Sequence, residues 1–112
     1  MAKGRENVGH FELMVLLAVM RLKDDAYGLP ILTEIEQRVG REVALGSVYA
    51  ALNRLESKGF VSSRLGEPTA ARGGKAKRYF KATASGIREV HGIRRALVSL
   101  WQGIPDAHGG VA

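Results

Sequence analysis

The spacing of apolar residues changes at Gly59, and this change constrains the fold more than any other feature of the chain. Before Gly59, apolar residues recur every three or four positions, which is the pattern of helices that bury one face. After it, residues 60–65 and 78–82 form two short segments rich in aromatic and branched side chains, separated by a glycine-rich stretch. The sequence therefore predicts a mainly α protein in which helices are followed by a small two-stranded β-hairpin.

Three helices are predicted ahead of the hairpin. Residues 11–22 are almost all apolar, which favours a helix buried on more than one face. Residues 29–39 are amphipathic, with Pro30 in the first turn, where its missing N–H costs little, and Gly40 at the end. Residues 46–58 begin with small residues and stop before a glycine.

The third helix has an outer face that carries little charge. At 100° per residue, Ser47, Ala50 and Arg54 point away from the apolar core face, Asn53 lies on the flank, and Tyr49 lies at the border. Small and hydrogen-bonding side chains permit close approach to another surface. An ordinary solvated face explains the same residues.

A fourth helix is predicted after the hairpin. Thr83 suits its N-cap, and the helix extends to about residue 102. Its apolar residues alternate spacings of three and four, as in a short coiled-coil seam. The seam packs either on the domain itself or on a second copy, and we expect the second. The residues predicted at the dimer interface are Phe11, Met14, Val90, Ile93, Leu97, Leu100 and Trp101.

A hypothesis about regulation concerns the same aromatic residues. Trp101 and Phe11, with Met14 and Met20, would line an apolar slot at the dimer interface for a small flat aromatic effector. The alternative is that these side chains form ordinary dimer core.

The excess positive charge is concentrated in one segment. The chain has 17 Lys and Arg residues against 11 Asp and Glu residues, a net charge of +6. Residues 64–81 hold six of the basic residues and one acidic residue, Glu67. Because residues 66–78 are rich in glycine and alanine, we expect a mobile basic loop at the tip of the hairpin. Such a loop favours a polyanionic partner, and a solvated turn that only maintains solubility is the alternative.

Several functional classes are excluded by residues that are missing or isolated. The chain has no cysteine, which excludes disulfides, thiol catalysis and thiolate metal ligation. His10, His91 and His108 are too far apart for a metal pair within one helical turn. The longest apolar run, residues 13–20, is too short to cross a bilayer, and residues 1–10 do not form a signal peptide. We therefore expect a cytoplasmic protein that is not an enzyme and needs neither a metal nor a cofactor.

Three separated motifs carry a family resemblance. They are YGLPI at residues 27–31, GSVYAALNRLESKGFV at residues 46–61 and GGKAKRYFKATASG at residues 73–86. In this order they resemble the PadR family of bacterial transcriptional regulators, over roughly residues 10–90. The resemblance implies a winged helix-turn-helix fold, with three helices, the hairpin as the wing, and a C-terminal dimerisation helix. It also implies a homodimeric repressor, associated with the bacterial nucleoid, that binds an inverted-repeat operator in double-stranded DNA.

The resemblance assigns roles to segments of the chain. Residues 10–83 correspond to the winged-helix DNA-binding domain and residues 84–104 to the dimerisation helix, flanked by a flexible arm at 1–9 and a flexible tail at 105–112. The predicted DNA contacts lie on the third helix and the wing: Ser47, Tyr49, Asn53, Arg54, Arg72, Lys75, Lys77 and Arg78. A winged-helix adaptor that binds protein or RNA without recognising an operator is the alternative. Binding to a membrane surface is not expected, because the cations lie on a hairpin rather than along one helix face.

Overall fold

The structure, a computed structural model, describes residues 7–67 and 76–105 and contains four α-helices and one β-hairpin within these ranges. The elements are α1 (His10–Leu22), α2 (Gly28–Val39), α3 (Leu45–Ser57), β1 (Val61–Leu65), β2 (Arg78–Ala82) and α4 (Ala84–Trp101). The predicted fold class, mainly α with a small hairpin, is confirmed. The tip of the predicted basic loop, with Arg72 and Lys75, lies outside the described residues, as does most of the predicted arm and tail.

The helices begin and end where the local sequence indicates. Pro30 lies in the first turn of α2, and Gly40 ends this helix in the left-handed conformation, with φ of 80°. Thr83 caps α4, since its hydroxyl oxygen accepts a hydrogen bond from the backbone N–H of Gly86 at 3.0 Å. A short 3₁₀ turn at Lys23–Asp25, which the sequence pattern did not indicate, follows α1.

Helix α1 occupies the centre of the core. It contacts α2, α3, β2 and α4, and its apolar side chains belong to one buried cluster with theirs. This position explains why nearly every residue of α1 is apolar, as predicted for a helix buried on more than one face. Among the described residues, the large side chains that are fully buried all come from the first three helices: Val15, Leu16, Val19, Ile31, Val48, Leu52 and Leu55.

The hairpin is antiparallel and is joined to the helical part by backbone hydrogen bonds. The register pairs Val61 with Ala82, and each following residue of β1 with the preceding residue of β2. The backbone N–H of Phe80 donates to the carbonyl oxygen of Ala26 at 2.8 Å, so the segment just before α2 pairs with β2. The base of the hairpin therefore has a defined position beside the helices.

Only the first half of α4 packs on the core. Gly86 and Val90 are buried, whereas Leu97 and Trp101 are exposed. The backbone carbonyl of Phe60 lies so close to Gly86 that a Cβ atom at this position would overlap it. A glycine at position 86 therefore allows α4 to approach the start of the hairpin.

Replacing Gly86 by alanine should destabilise the fold, because the new methyl group meets a backbone carbonyl rather than a movable side chain. We expect the free energy of unfolding to fall by about 1 to 3 kcal/mol in urea denaturation at a fixed protein concentration.

Gly92→Ala is the matched control in the same helix. Its Cβ would meet only a terminal nitrogen of Arg95, at 3.9 Å. Alanine in place of a helical glycine should raise the stability by up to about 1 kcal/mol. Equal stability of the two variants would show that Gly86 is not needed for the approach of α4.

Candidate nucleic-acid interface

The outer face of α3 is exposed and carries short or hydrogen-bonding side chains. Ser47, Ala50, Asn53 and Arg54 all lie on this face, as the helical spacing predicts. The first turn of α3 contains no acidic residue, and no side chain caps it. Because a helix N-terminus carries partial positive charge, this end of α3 is compatible with an anionic surface.

Tyr49 lies at the edge of this face and joins α3 to the start of α2. The hydroxyl end of its ring rests on Gly28, where a Cβ atom would overlap the ring. Tyr49 is nevertheless 39% exposed. One end of the side chain therefore packs on α2, and part of the ring stays accessible.

Arg54 is held by a carboxylate from α1. Its Nε donates to Oε2 of Glu12 at 2.6 Å, and Nζ of Lys58 donates to Oε1 of Glu12 at 2.7 Å. Glu12 itself is only 7% exposed. Arg54 is a predicted DNA contact, and the structure gives its guanidinium group an internal partner. No sequence pattern signals this contact, since Glu12 and Arg54 are 42 positions apart.

Two opposing effects set the pKa of Glu12. Burial raises the pKa, because it disfavours the charged carboxylate. The hydrogen bonds and positive charges of Lys58 and Arg54 outweigh burial, so the pKa lies below its usual value of 4.5. A lowered pKa in the folded state means that the carboxylate stabilises the fold above its unfolded pKa. This stabilisation is lost as the pH falls through the folded pKa.

The described cations at the loop end of the hairpin are held by neighbouring elements. Arg78 donates from Nη2 to Oε1 of Glu56 in α3 and from Nε to Oγ of Ser63, both at 3.2 Å. Ser63 in turn donates to Oε2 of Glu56 at 2.8 Å. Nζ of Lys77 lies 3.2 Å from the hydroxyl oxygen of Tyr27 and 4.2 Å from the centre of its ring. Two predicted contact residues are thus anchored beside α2 and α3, by partners that sequence reasoning did not identify.

An apolar groove of about 510 Å³ runs between α1 and α4. Its apolar lining comes from both helices: Leu13, Leu17, Val90, Ile93, Leu97, Val98 and Trp101. Of the predicted interface residues on α4, Leu100 is exposed but does not line the groove, and Val90 also belongs to the buried core of the protomer. An exposed apolar surface of this kind is typical of a site of association.

The groove differs from the predicted interface on the α1 side. Phe11 and Met14 do not line it, and Leu13 and Leu17 contribute instead. At about 100° per residue, Leu13 is rotated by about 200° from Phe11, so the two side chains leave α1 on opposite sides. The Phe11 side chain lies instead near residues 41–44 and Ser47, around the start of α3. Phe11 and Trp101 therefore do not line one groove within a protomer, and the effector slot at the dimer interface stays a prediction.

The part of the chain that the structure describes contains neither a metal-binding cluster nor a membrane-spanning helix. Over residues 7–67 and 76–105, no three His, Cys, Asp or Glu side chains are close enough to hold a metal ion. Within the same ranges, no helix has the length and apolar character needed to cross a membrane. The surfaces that stand out for binding are the outer face of α3, the hairpin and the groove.

A sequence model of the transcriptional regulator PadR-like family matches residues 16–92. The chain belongs to this family. The fold of this PadR-like protein is similar to that of a PadR-like transcription factor from Bacteroides fragilis, with 23% identity, a TM-score of 0.71 and 88% of each chain covered. It is also similar to a PadR family regulator from Eggerthella lenta, with 23% identity, a TM-score of 0.66, and 81% of this chain and 77% of that chain covered.

A third solved structure is that of Bacillus subtilis PadR in complex with operator DNA. It is 20% identical, with a TM-score of 0.63, and the match covers 75% of this chain and 47% of the Bacillus chain. No curated protein matches the sequence. At these identities, the solved structures establish the winged-helix fold of this PadR-like protein.

Glu12→Gln should lower stability at neutral pH, because it removes the charge that accepts hydrogen bonds from Arg54 and Lys58. We expect a loss of about 1 to 2 kcal/mol in urea denaturation at pH 7. Since the folded pKa of Glu12 is lowered, the difference between wild type and variant should be largest above its usual pKa of 4.5 and should shrink as the pH falls below it.

Glu42→Gln provides the control, because it removes an exposed carboxylate from the segment between α2 and α3. It should change stability by less than about 0.5 kcal/mol at each pH. A stability difference for Glu12→Gln that grows towards low pH would rule out an ionised, hydrogen-bonded Glu12 in the folded protein.

Proposed function

We propose that this PadR-like protein is a homodimeric repressor that binds an inverted-repeat operator in double-stranded DNA. The observation that carries the proposal is the joining of two surfaces: the exposed outer face of α3 and the basic hairpin, held together by the Glu56–Arg78 ion pair at 3.2 Å. In a winged helix-turn-helix, these surfaces bind the major groove and the neighbouring phosphates. The similar fold of Bacillus subtilis PadR, solved with operator DNA, supports this assignment.

On α3, we assign base and phosphate contacts to exposed side chains. Ser47 and Asn53 offer hydrogen-bonding groups to base edges or phosphates, and the accessible part of Tyr49 lies beside them. Arg54 would bind through its two terminal nitrogens, since its Nε is engaged with Glu12. A guanidinium group held in one orientation loses less freedom on binding than a mobile one.

On the hairpin, the cations supply affinity that depends little on sequence. Lys77 and Arg78 lie at the loop end of the strands, and we assign Arg72 and Lys75, outside the described residues, to the same role. Each cation that meets a phosphate releases counterions, so binding should weaken as the salt concentration rises.

The groove between α1 and α4 is the surface we assign to dimerisation. A second copy is the occupant that fits, because the groove is lined by apolar side chains and continues into Trp101, which is 68% exposed. A dimer with a two-fold axis would present two copies of α3 to the same side of DNA. In helix-turn-helix dimers, the recognition helices lie about 34 Å apart, which requires a palindromic site.

In vitro selection from a random duplex library tests operator recognition. We expect the selected sequences to contain an inverted repeat with half-sites centred about 10 base pairs apart. In fluorescence anisotropy, the selected duplex should bind at least about a hundredfold more tightly than a scrambled duplex at near-physiological salt. Weak, equal binding to both duplexes that salt abolishes would contradict operator recognition and favour a protein- or RNA-binding adaptor.

Leu97→Asp should dissociate the dimer, because it places a charge within the apolar groove. Sedimentation equilibrium should give the mass of one chain for this variant and of two chains for wild type. Leu65→Asp is the matched control, since Leu65 is an equally apolar, 69% exposed residue on β1, away from the groove. If Leu97→Asp stayed dimeric, the dimer interface would lie elsewhere.

A further inference from the structure

The protein contains three tyrosines, which lie in the hairpin, just before α2 and in α3. Tyr79 is in β2, Tyr27 immediately precedes α2, and Tyr49 is in α3. Tyr79 contacts Tyr27, and Gly28, the residue after Tyr27, contacts Tyr49. Contacts of the three side chains therefore form one continuous path from the hairpin to α3.

The first contact joins the hairpin to the start of α2. The rings of Tyr27 and Tyr79 are 5.3 Å apart, centre to centre, at an angle of 62°, which is an edge-to-face arrangement. Beside this pair, the backbone N–H of Phe80 donates to the carbonyl of Ala26 at 2.8 Å. Residues 79–80 of β2 are thus joined to residues 26–27 by both a side-chain contact and a backbone hydrogen bond.

Two cations extend the aromatic pair on either side. Nζ of Lys77 lies 4.2 Å from the centre of the Tyr27 ring, and Cζ of Arg64 lies 4.8 Å from the centre of the Tyr79 ring. A Cβ atom at Gly66 would lie 2.6 Å from Cε1 of Tyr79, so glycine leaves room for the ring. We call Arg64, Tyr79, Tyr27 and Lys77 the aromatic ladder. It joins both strands of the hairpin to α2.

The second contact continues the path into α3. The hydroxyl end of Tyr49 rests on Gly28, the residue that follows Tyr27. The Tyr27–Gly28 segment therefore contacts the hairpin through Tyr79 and α3 through Tyr49.

We propose that Tyr27 and Tyr79 are positioning residues that hold the wing at a set distance and angle from α3, so that both reach DNA in one binding event. This inference rests on the proposed DNA-binding function. A wing held by the ladder loses less orientational freedom on binding than a wing attached only through its two strands. Tyr27 and Tyr79 thus contribute to affinity without themselves touching DNA.

Tyr79→Leu tests the proposal, with Tyr79→Phe as its conservative partner. The leucine removes the ring, whereas phenylalanine keeps the ring and the contacts with Tyr27 and Arg64. We expect Tyr79→Leu to bind the selected duplex about fivefold more weakly, with a shallower salt dependence because fewer wing cations meet phosphates, and Tyr79→Phe to bind as wild type does.

Hydrogen exchange at the Phe80 amide measures the position of the wing without DNA. Its exchange should become about tenfold faster in Tyr79→Leu and stay unchanged in Tyr79→Phe, since this amide donates to Ala26 beside the ladder. Faster exchange with unchanged DNA affinity would overturn the proposal, as would equal exchange in both variants. If wild type failed to bind the selected duplex, the proposed function would fall, and the exchange result would still report on the ladder.

Gly28→Ala gives a second test that does not depend on removing a large side chain. The added Cβ would displace the hydroxyl end of Tyr49, which can rotate away at little cost in stability. We expect wild-type stability in urea denaturation with DNA affinity reduced about threefold or more, because the surface of α3 beside the path changes. Unchanged affinity in this variant would show that the path does not extend to α3.

Discussion

The burial of α1 is the constraint on which the rest of the structure depends. Val15, Leu16 and Val19 of this helix are fully enclosed by α2, α3, the hairpin and the start of α4. Fully burying one such side chain contributes roughly 1.5 to 3 kcal/mol, so a single central helix supplies much of the driving force for a chain of this length. Because α1 occupies the apolar faces of α2 and α3, the outer face of α3 is left with short and polar side chains.

Acidic residues then determine where the cations of the binding surface lie. Glu12 holds Arg54 and Lys58, while Glu56 holds Arg78. The Arg54 and Arg78 side chains remain about half exposed, so these ion pairs orient the cations without removing them from solvent. The exposed Glu56–Arg78 pair adds little to stability, and its main consequence is geometric. The basic hairpin and α3 are joined into a surface of defined orientation.

The sequence predicts the elements well and their mutual contacts poorly, for physical reasons. Periodicity, Gly40 and Thr83 locate the helices, because these signals act within a few residues. The Glu12–Arg54 and Tyr27–Lys77 contacts join residues 42 and 50 positions apart, and no local pattern encodes them. Phe11 is predicted at the dimer interface because it is apolar and lies on α1, and helical spacing places it on the side of α1 opposite the groove. The predicted α3 face depended only on helical spacing, and it matches the structure.

Hydroxyl-radical footprinting of the selected duplex tests the central claim most directly, since it maps both α3 and the wing on DNA. A homodimer with one α3 per half-site should protect two symmetric regions centred about 10 base pairs apart, each flanked by weaker protection from a wing. Protection of a single region, or of none at concentrations that saturate binding, would contradict the account of this protein as a dimeric operator-binding regulator.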